Sequence, residues 1–431
     1  MITDKEHIVN YFNSGIRDTK DFKIGIEHEK FLFDQNKNKR VDYKTILKMF
    51  NALSEFGWKP IMEKQNIIGL KKEGKNITLE PGNQIELSGD KLNDIHEACS
   101  ESHNYLFELQ QVTKKIGLKI VSAGFDPIST LNEVPNNPKQ RYDVMTRDMP
   151  NGGSLSLDMM YRTCGTQLNL DYNSEEDFIK KFKIINSLVP ISIALFANSS
   201  IVEKKNSGYM SYRSKVWQET SRGGLPEVFF DNMNFEKYAN FAINFPLLFI
   251  QNDKEYLSGA NYTFLDFMNG QIKEIDNKLP TEDDLATHLS TIFTENRLKK
   301  YIELRSMDTC GWDCLCAGPA FNTGILYGNL DETFELISKW DKNKIINAYL
   351  EAPKKGFNTE LMGKDLLYWS SLLLNLSKKG LESRDILNKS GENETKFLNH
   401  LEKLIHNKTT NADHMINKFS KDENLTELYD K

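Results

Sequence analysis

Residues 22–33 read FKIGIEHEKFLF, and their alternation suits an extended strand: with a period of two, Glu27, Glu29 and Phe31 fall on one face. Two carboxylates in an apolar frame must then project from the same side of a sheet. Two further stretches repeat the device. LEPGNQIELSG carries Glu80 and Glu86 on the two arms of a turn, and Glu303-Leu304-Arg305 sets a carboxylate and a guanidinium two residues apart. Any one such pair reads most simply as the solvated face of a half-exposed sheet. Three of them in apolar frames, one shared with an arginine, point elsewhere.

If these strands share a sheet, five carboxylates crowd one surface and oppose each other's ionisation. A hard divalent cation relieves this: Mg²⁺ takes oxygen ligands, one or two protein carboxylates at a time, with water and nucleotide phosphate completing its shell. Arg305 beside Glu303 suits a phosphate oxygen, which a planar guanidinium grips bidentately. The chain holds no G-x-x-x-x-G-K-[ST] and no G-x-G-x-x-G, so a bound nucleotide would depend on metal and Arg/Lys rather than on a phosphate loop.

In SYRSKVWQETSRGGLP, Arg213 and Trp217 lie four residues apart and share a face on a helical turn. Guanidinium and indole N–H make a donor pair for a carboxylate ligand; an exposed Arg–Trp cation–π pair is equally compatible with the spacing. Other candidates are weaker. Cys310, Cys314 and Cys316 have a metal-like spacing without a fourth ligand of the C-x-x-C kind, so buried free thiols are expected, a redox pair being the alternative. The histidines form no H-x-x-x-H pattern, and His28 points away from Glu27 and Glu29. No G-x-S-x-G nucleophile signal occurs.

Composition narrows the class. The 431 residues carry a net charge of −6 without a basic stripe, which speaks against nucleic acid. Five cysteines, an odd number, argue for a reducing compartment. The N-terminus lacks an apolar leader, and the most apolar stretch, 188–202, is too short to span a bilayer. A cytoplasmic protein without membrane or nucleic-acid partners is expected.

The pattern predicts a helix over 42–57 with Asp42 as cap and Gly57 as stop, and strands near 66–71, 76–80 and 84–87. A long helix should run from a Ser88 cap to Gly117, followed by the strand LKIVSAGF. Strands are expected at 164–172 and at KYIELRS, and capped helix starts at Ser174 and Thr281. Beyond about residue 330 the pattern is helical, near 332–350, 365–378 and 395–419. Strands and helices mix without regular alternation, so an α+β fold with an antiparallel sheet and a helical C-terminal region is expected.

The motifs IGIEHEKFLF, ITLEPGNQIELSGD, MPNGGSLSLDMMYRTCGTQLNLDYNSEEDFIKKF, SYRSKVWQET and LKKYIELRSMD occur in order over roughly two thirds of the chain, with CAGPAFNTGILYGN as a weaker continuation. Together they resemble the plant and proteobacterial type of glutamate–cysteine ligase, a glutamine synthetase-like carboxylate–amine ligase. The resemblance implies a catalytic unit over 1–330, with 331–431 packed on it as a helical region. It also implies an ATP-dependent coupling of L-glutamate to L-cysteine through γ-glutamyl phosphate, as the first step of glutathione synthesis. By motif position, Glu27, Glu29, Glu80, Glu86 and Glu303 would hold Mg²⁺, with Glu27, Glu303 and Arg305 catalytic. Arg305 would contact ATP phosphate, while Arg213, Trp217 and Arg141, in NPKQRYDVM, would bind substrate.

Phosphoryl transfer asks for positioning and charge neutralisation, which fits the missing nucleophile signal. The implied partners are small molecules, and the implied state is a monomer or weak homodimer. Three departures stand out: Gly82-Asn83 replaces a double glycine, QETSRGG shortens the stretch after Trp217, and MPNGGS replaces a basic segment. A ligase using another amine acceptor, or an inactive metal-binding module, are the rival readings. All five glutamates and Arg305 being present disfavours the inactive one.

Overall fold

In the computed structural model, which describes residues 1–252 and 255–421, the alternating segment is strand β1 (Ile24–Asp34). Its even-numbered residues from Ile24 to Leu32 are buried. Strands β2 (Lys59–Glu63), β3 (Asn66–Lys72), β4 (Lys75–Leu79), β5 (Ile85–Ser88), β6 (Leu118–Val121) and β7 (Gly165–Leu170) follow. Two short hairpins come next, β8 (Ile201–Val202) with β9 (Lys205–Asn206) and β10 (Phe249–Asn252) with β11 (Glu255–Ser258). Strands β12 (Asn296–Leu298) and β13 (Ile302–Asp308) complete a nine-stranded sheet among the described residues. Its order is β12-β13-β7-β1-β5-β4-β3-β2, with β6 pairing the far end of β1, and every pairing is antiparallel.

Register aligns the polar residues. Glu29 stands opposite Glu86, Glu27 opposite Gln167, Asn169 opposite Glu303, and Glu303 opposite Arg297. Residues directly opposite in a ladder point the same way, so these side chains share one face. The other face is apolar. Leu32, Ile77, Leu79, Ile85 and Leu87 pack with Met49, Phe50, Leu106 and Leu109 of helices Tyr43–Leu53 and Ile95–Lys115. Ile24, Ile26, Leu168, Leu170, Ile302 and Leu304 pack with Phe178, Phe182 and Leu195 in a larger cluster. That cluster extends from Ile2 to Leu404 and takes in the C-terminal helices Lys342–Lys355, Leu366–Arg384 and Asn399–Asn407. Each large apolar side chain contributes about 1.5–3 kcal/mol on leaving water. The apolar face thus anchors the sheet and leaves its opposite face to polar groups.

Several expected boundaries move. Asp42 does cap its helix, accepting from Thr45 N at 2.8 Å, and Gly57 ends the following turn at φ 89°. The long helix, however, starts at Ile95 under an Asp94 cap rather than at Ser88. Leu92 is held in a backbone bridge to Ile24, which keeps the residues between Ser88 and Asp94 out of the helix. The 395–419 stretch is broken by Lys408, whose φ of 55° ends one helix before Asn411–Lys421 begins. A small hairpin, β14 (Glu360–Leu361) with β15 (Lys364–Asp365), interrupts the helical region.

The expectation of free thiols fails. Cys99 pairs with Cys316 and Cys310 with Cys314, leaving Cys164 as a buried thiol. An odd count only means that one cysteine is left over. The partners Cys99 and Cys316 are 217 residues apart, beyond the reach of any local spacing rule. Among the described residues no helix is long and apolar enough to cross a membrane.

Candidate active site

Over the polar face of the sheet lies a cavity of about 200 Å³. Glu27, Glu29, Glu80, Glu86, Gln167 and Arg305 line it from the sheet side. Arg141, Tyr142 and Met145 of helix Gln140–Asp148 close it, with Met159 and Met160 of helix Ser156–Arg162 and Trp217 of helix Tyr212–Gln218. Phe249 and Phe293 complete an apolar wall.

The four cavity glutamates accept from neutral donors, Glu80 from Tyr142 Oη at 3.5 Å. Asn169 Nδ2 donates to Glu27 at 2.8 Å, Thr78 Oγ1 to Glu86 at 3.1 Å, and Gly165 N to Glu29. Glu86 also contacts both Glu80 and Glu27. Burial, Glu303 and Glu86 push the Glu27 carboxyl up to about 7. Burial and Glu80 push Glu86 up to about 7, and burial with Glu86 holds Glu29 well above the usual carboxylate range. No three of these carboxylates bring one oxygen each within 4.8 Å of one another, so they form a row rather than a cage. Lys299, Arg213 and Lys139 offset their repulsion only in part, and a divalent cation is the kind of ligand such a row would accept.

Glu303 stands apart. It does not line the cavity, and its oxygens are taken by Arg297 Nε and Nη2 at 2.7 Å, Lys299 Nζ at 2.9 Å and Arg305 Nη1 at 2.6 Å. These cations override burial and hold its carboxyl well below the usual range. It therefore orients Arg297 and Arg305, both of which reach the cavity wall.

Arg213 and Trp217 are both buried, which excludes the exposed cation–π reading. The guanidinium lies 5.1 Å from the indole centroid, and Arg305 lies 5.3 Å from the same ring. Arg213 Nη2 donates to Arg305 O at 2.9 Å, but Arg213 Nε and Nη1, Trp217 Nε1 and Arg305 Nε are buried without a partner. An unmet buried donor costs about 1–3 kcal/mol, more when charged, so four in one region mark a place for an anion. Gly165 makes room for this arrangement: a Cβ there would meet Arg213 Nη2 at 2.7 Å. Arg141 lines the same cavity, its guanidinium 5.1 Å over the Tyr142 ring.

His28 sits on the apolar face, where burial holds its imidazole well below its ordinary value. The sequence reading missed Arg297, Lys299, Gln167 and Asn169. Arg297 and Lys299 precede Glu303 in TENRLKKYIELR, and a hairpin reading of that segment would have placed Arg297 across from it. The methionine and phenylalanine wall has no local signal.

The model of glutamate–cysteine ligase family 2 matches residues 23–431. The chloroplastic glutamate–cysteine ligase of Nicotiana tabacum is 40% identical over 418 residues, 96% of this chain and 79% of that protein. Glutamate–cysteine ligase A of Oryza sativa subsp. japonica, also chloroplastic, is 38% identical, covering 96% of this chain and 84% of its own. Among solved structures, a glutamate–cysteine ligase from Francisella tularensis in complex with AMP aligns with TM-score 0.50 at 13% identity, over 93% of this chain and 85% of that one. A bifunctional glutathione synthetase from Pasteurella multocida aligns with TM-score 0.51 at 12% identity, over 98% and 53%. These likenesses carry the glutamine synthetase-like fold.

The plant names overturn the cytoplasmic expectation, which is withdrawn. Plastid transit segments are amphipathic rather than apolar, so the lack of an apolar leader was no test of compartment. With an antiparallel sheet lined by carboxylates and a family match that spans nearly its whole length, the chain is a ligase of glutamate–cysteine ligase family 2.

Proposed function

We propose that this enzyme couples the γ-carboxylate of L-glutamate to the amine of L-cysteine at the expense of ATP, through γ-glutamyl phosphate. One observation carries this reading: a row of carboxylates short of positive charge lines the same cavity as Arg305 and Trp217, whose Nε and Nε1 are buried without a partner, and Arg213, with two unmet nitrogens of its own, packs against the same indole. Arg213 and Trp217 would receive the α-carboxylate of glutamate, their N–H groups forming charge-assisted hydrogen bonds with it. Arg305 and Arg297, oriented by Glu303, would face the phosphate. Arg141, which lines the cavity, would also bind substrate.

Glu27, Glu29, Glu80 and Glu86 would hold Mg²⁺, which when bound neutralises phosphate charge and aligns the γ-phosphate for in-line transfer. Glu303 joins the site through the arginines rather than through the metal. The methionine and phenylalanine wall would exclude water, protecting the acyl phosphate from hydrolysis until the amine attacks.

Phosphate release measured with ATP and glutamate, in the presence of cysteine, other amines or no acceptor, tests the reading. Release that requires cysteine supports it. Release driven better by another amine assigns the chain to a related γ-glutamyl–amine ligase, and none with any acceptor defeats it.

A further inference from the structure

Away from the active site, a second cavity of about 510 Å³ opens beside helix Ile95–Lys115, and Cys99, His103 and Cys316 line it. Cys99 and His103 are one helical turn apart and share a face. Cys316 comes from the residue just before helix Ala317–Thr323. One donor atom from each of the three lies within 4.8 Å of the other two. The His103 ring is stacked on Trp312, centroids 4.5 Å apart, and engages the Trp312 backbone, yet its buried Nε2 has no partner. A histidine fixed through one nitrogen by a backbone group, with the other free, is how ligating imidazoles are held.

We propose that, once the Cys99–Cys316 bond is reduced, Cys99, His103 and Cys316 form a site for a thiophilic divalent cation of the Zn²⁺ class, with its fourth position open to the cavity. The step balances with an external dithiol. The dithiol becomes a cyclic disulfide and gives two electrons and two protons to the sulfurs of Cys99 and Cys316, and metal binding then releases those protons. Metal–sulfur bonds of about 2.3 Å require the sulfurs to separate, and the cavity beside them gives the room. Three ligands of the Cys₂His kind with an open fourth position form a known donor set for such an ion.

The test uses the full chain with excess Mg²⁺ to occupy the carboxylates. The protein is reduced anaerobically with a dithiol, freed of reductant, checked by thiol titration and titrated with Cd²⁺. One equivalent of Cd²⁺ should bind with a thiolate-to-metal charge-transfer band, and the disulfide form should give none. Cys99→Ser should abolish the band, and His103→Ala should weaken binding about tenfold or more. The double variant Cys310→Ser/Cys314→Ser should bind like wild type, so the neighbouring pair is not the source. Circular dichroism melts establish that each variant folds, and the half-buried His103 makes His103→Ala informative if Cys99→Ser does not fold. A Cys99–Cys316 bond that resists reduction in the folded protein overturns the proposal. So do the absence of the band, unchanged affinity in His103→Ala, and a band lost with Cys310 and Cys314.

Discussion

A guanidinium with two nitrogens unbonded in the interior is unstable unless something else is gained, and Arg213 lies beside an indole N–H in the same condition. If glutamate is the missing acceptor, Arg213→Lys keeps the charge and loses the fork. Losing a charge-assisted hydrogen bond costs about 1.5–3 kcal/mol, so the glutamate KM should rise roughly ten- to a hundredfold, with the ATP and cysteine constants nearly unmoved. Steady-state kinetics on the three substrates checks this, and an unchanged glutamate KM removes Arg213 from the substrate site. Glu27 gives the opposite kind of test. Its ionised form is disfavoured by burial and by Glu303 and Glu86. Glu27→Gln should therefore abolish turnover while leaving the metal-free melting temperature equal or higher, and Mg²⁺ should stabilise it less than wild type. A cooperative melt with turnover within a few-fold of wild type would exclude Glu27 from the metal set.

Between β4 and β5 the turn 81–84 fixes how Glu80 and Glu86 approach each other. Gly82 is required by proximity: a Cβ there would stand 2.5 Å from Tyr161 O and 2.7 Å from Val134 Cγ1. Asn83 adopts φ 61°, a left-handed conformation that asparagine tolerates, and its Nδ2 donates to Val41 O at 3.0 Å. That explains why Gly-Asn serves here in place of two glycines. Gly82→Ala should displace the turn, lower the melting temperature, and raise the Mg²⁺ concentration needed for half-maximal activity; Asn83→Gly should do much less. Equal effects from the two would mean that the turn does not position the carboxylates. This hairpin was legible in sequence because period-two alternation and turn residues are local signals, and β1, β7 and β13 were legible for the same reason. Strand β12 was not: with three residues it is too short to show a period, and Arg297 and Lys299 went with it. The helix begun at Asp94 instead of Ser88, the Cys99–Cys316 pair and the Met159–Met160 wall were set by tertiary contacts, which leave no periodic trace. The carboxylate row itself was legible, but not that Glu303 spends its charge on three cations.

Across the whole molecule the two kinds of buried carboxylate oppose each other in their response to pH. Glu303 is held well below 4.5 by Arg297, Lys299 and Arg305, so its contribution to stability is present above that value and is lost as the pH falls through its folded value. Glu27 and Glu86 are raised from 4.5 to about 7, so between those values the folded chain binds more protons than the unfolded one, and stability falls as pH rises. One pH unit between folded and unfolded values corresponds to about 1.4 kcal/mol. Because the two groups share charges their effects do not add, and a loss on the order of 3 kcal/mol across the window is expected without divalent cations. Mg²⁺ at a hundred times its Kd adds about 2.7 kcal/mol to the folded state, and it does so only where the carboxylates are ionised. The chelator-treated protein should therefore melt at a temperature that declines from pH 4.5 to 7, and saturating Mg²⁺ should flatten or reverse that decline. Glu27→Gln, which removes one of the two groups, should shrink both the metal-free slope and the effect of Mg²⁺ on it. Thermal melts across that pH range, with chelator and with Mg²⁺, measure all of these slopes. Parallel curves with and without the metal would mean that the ion binds away from this row.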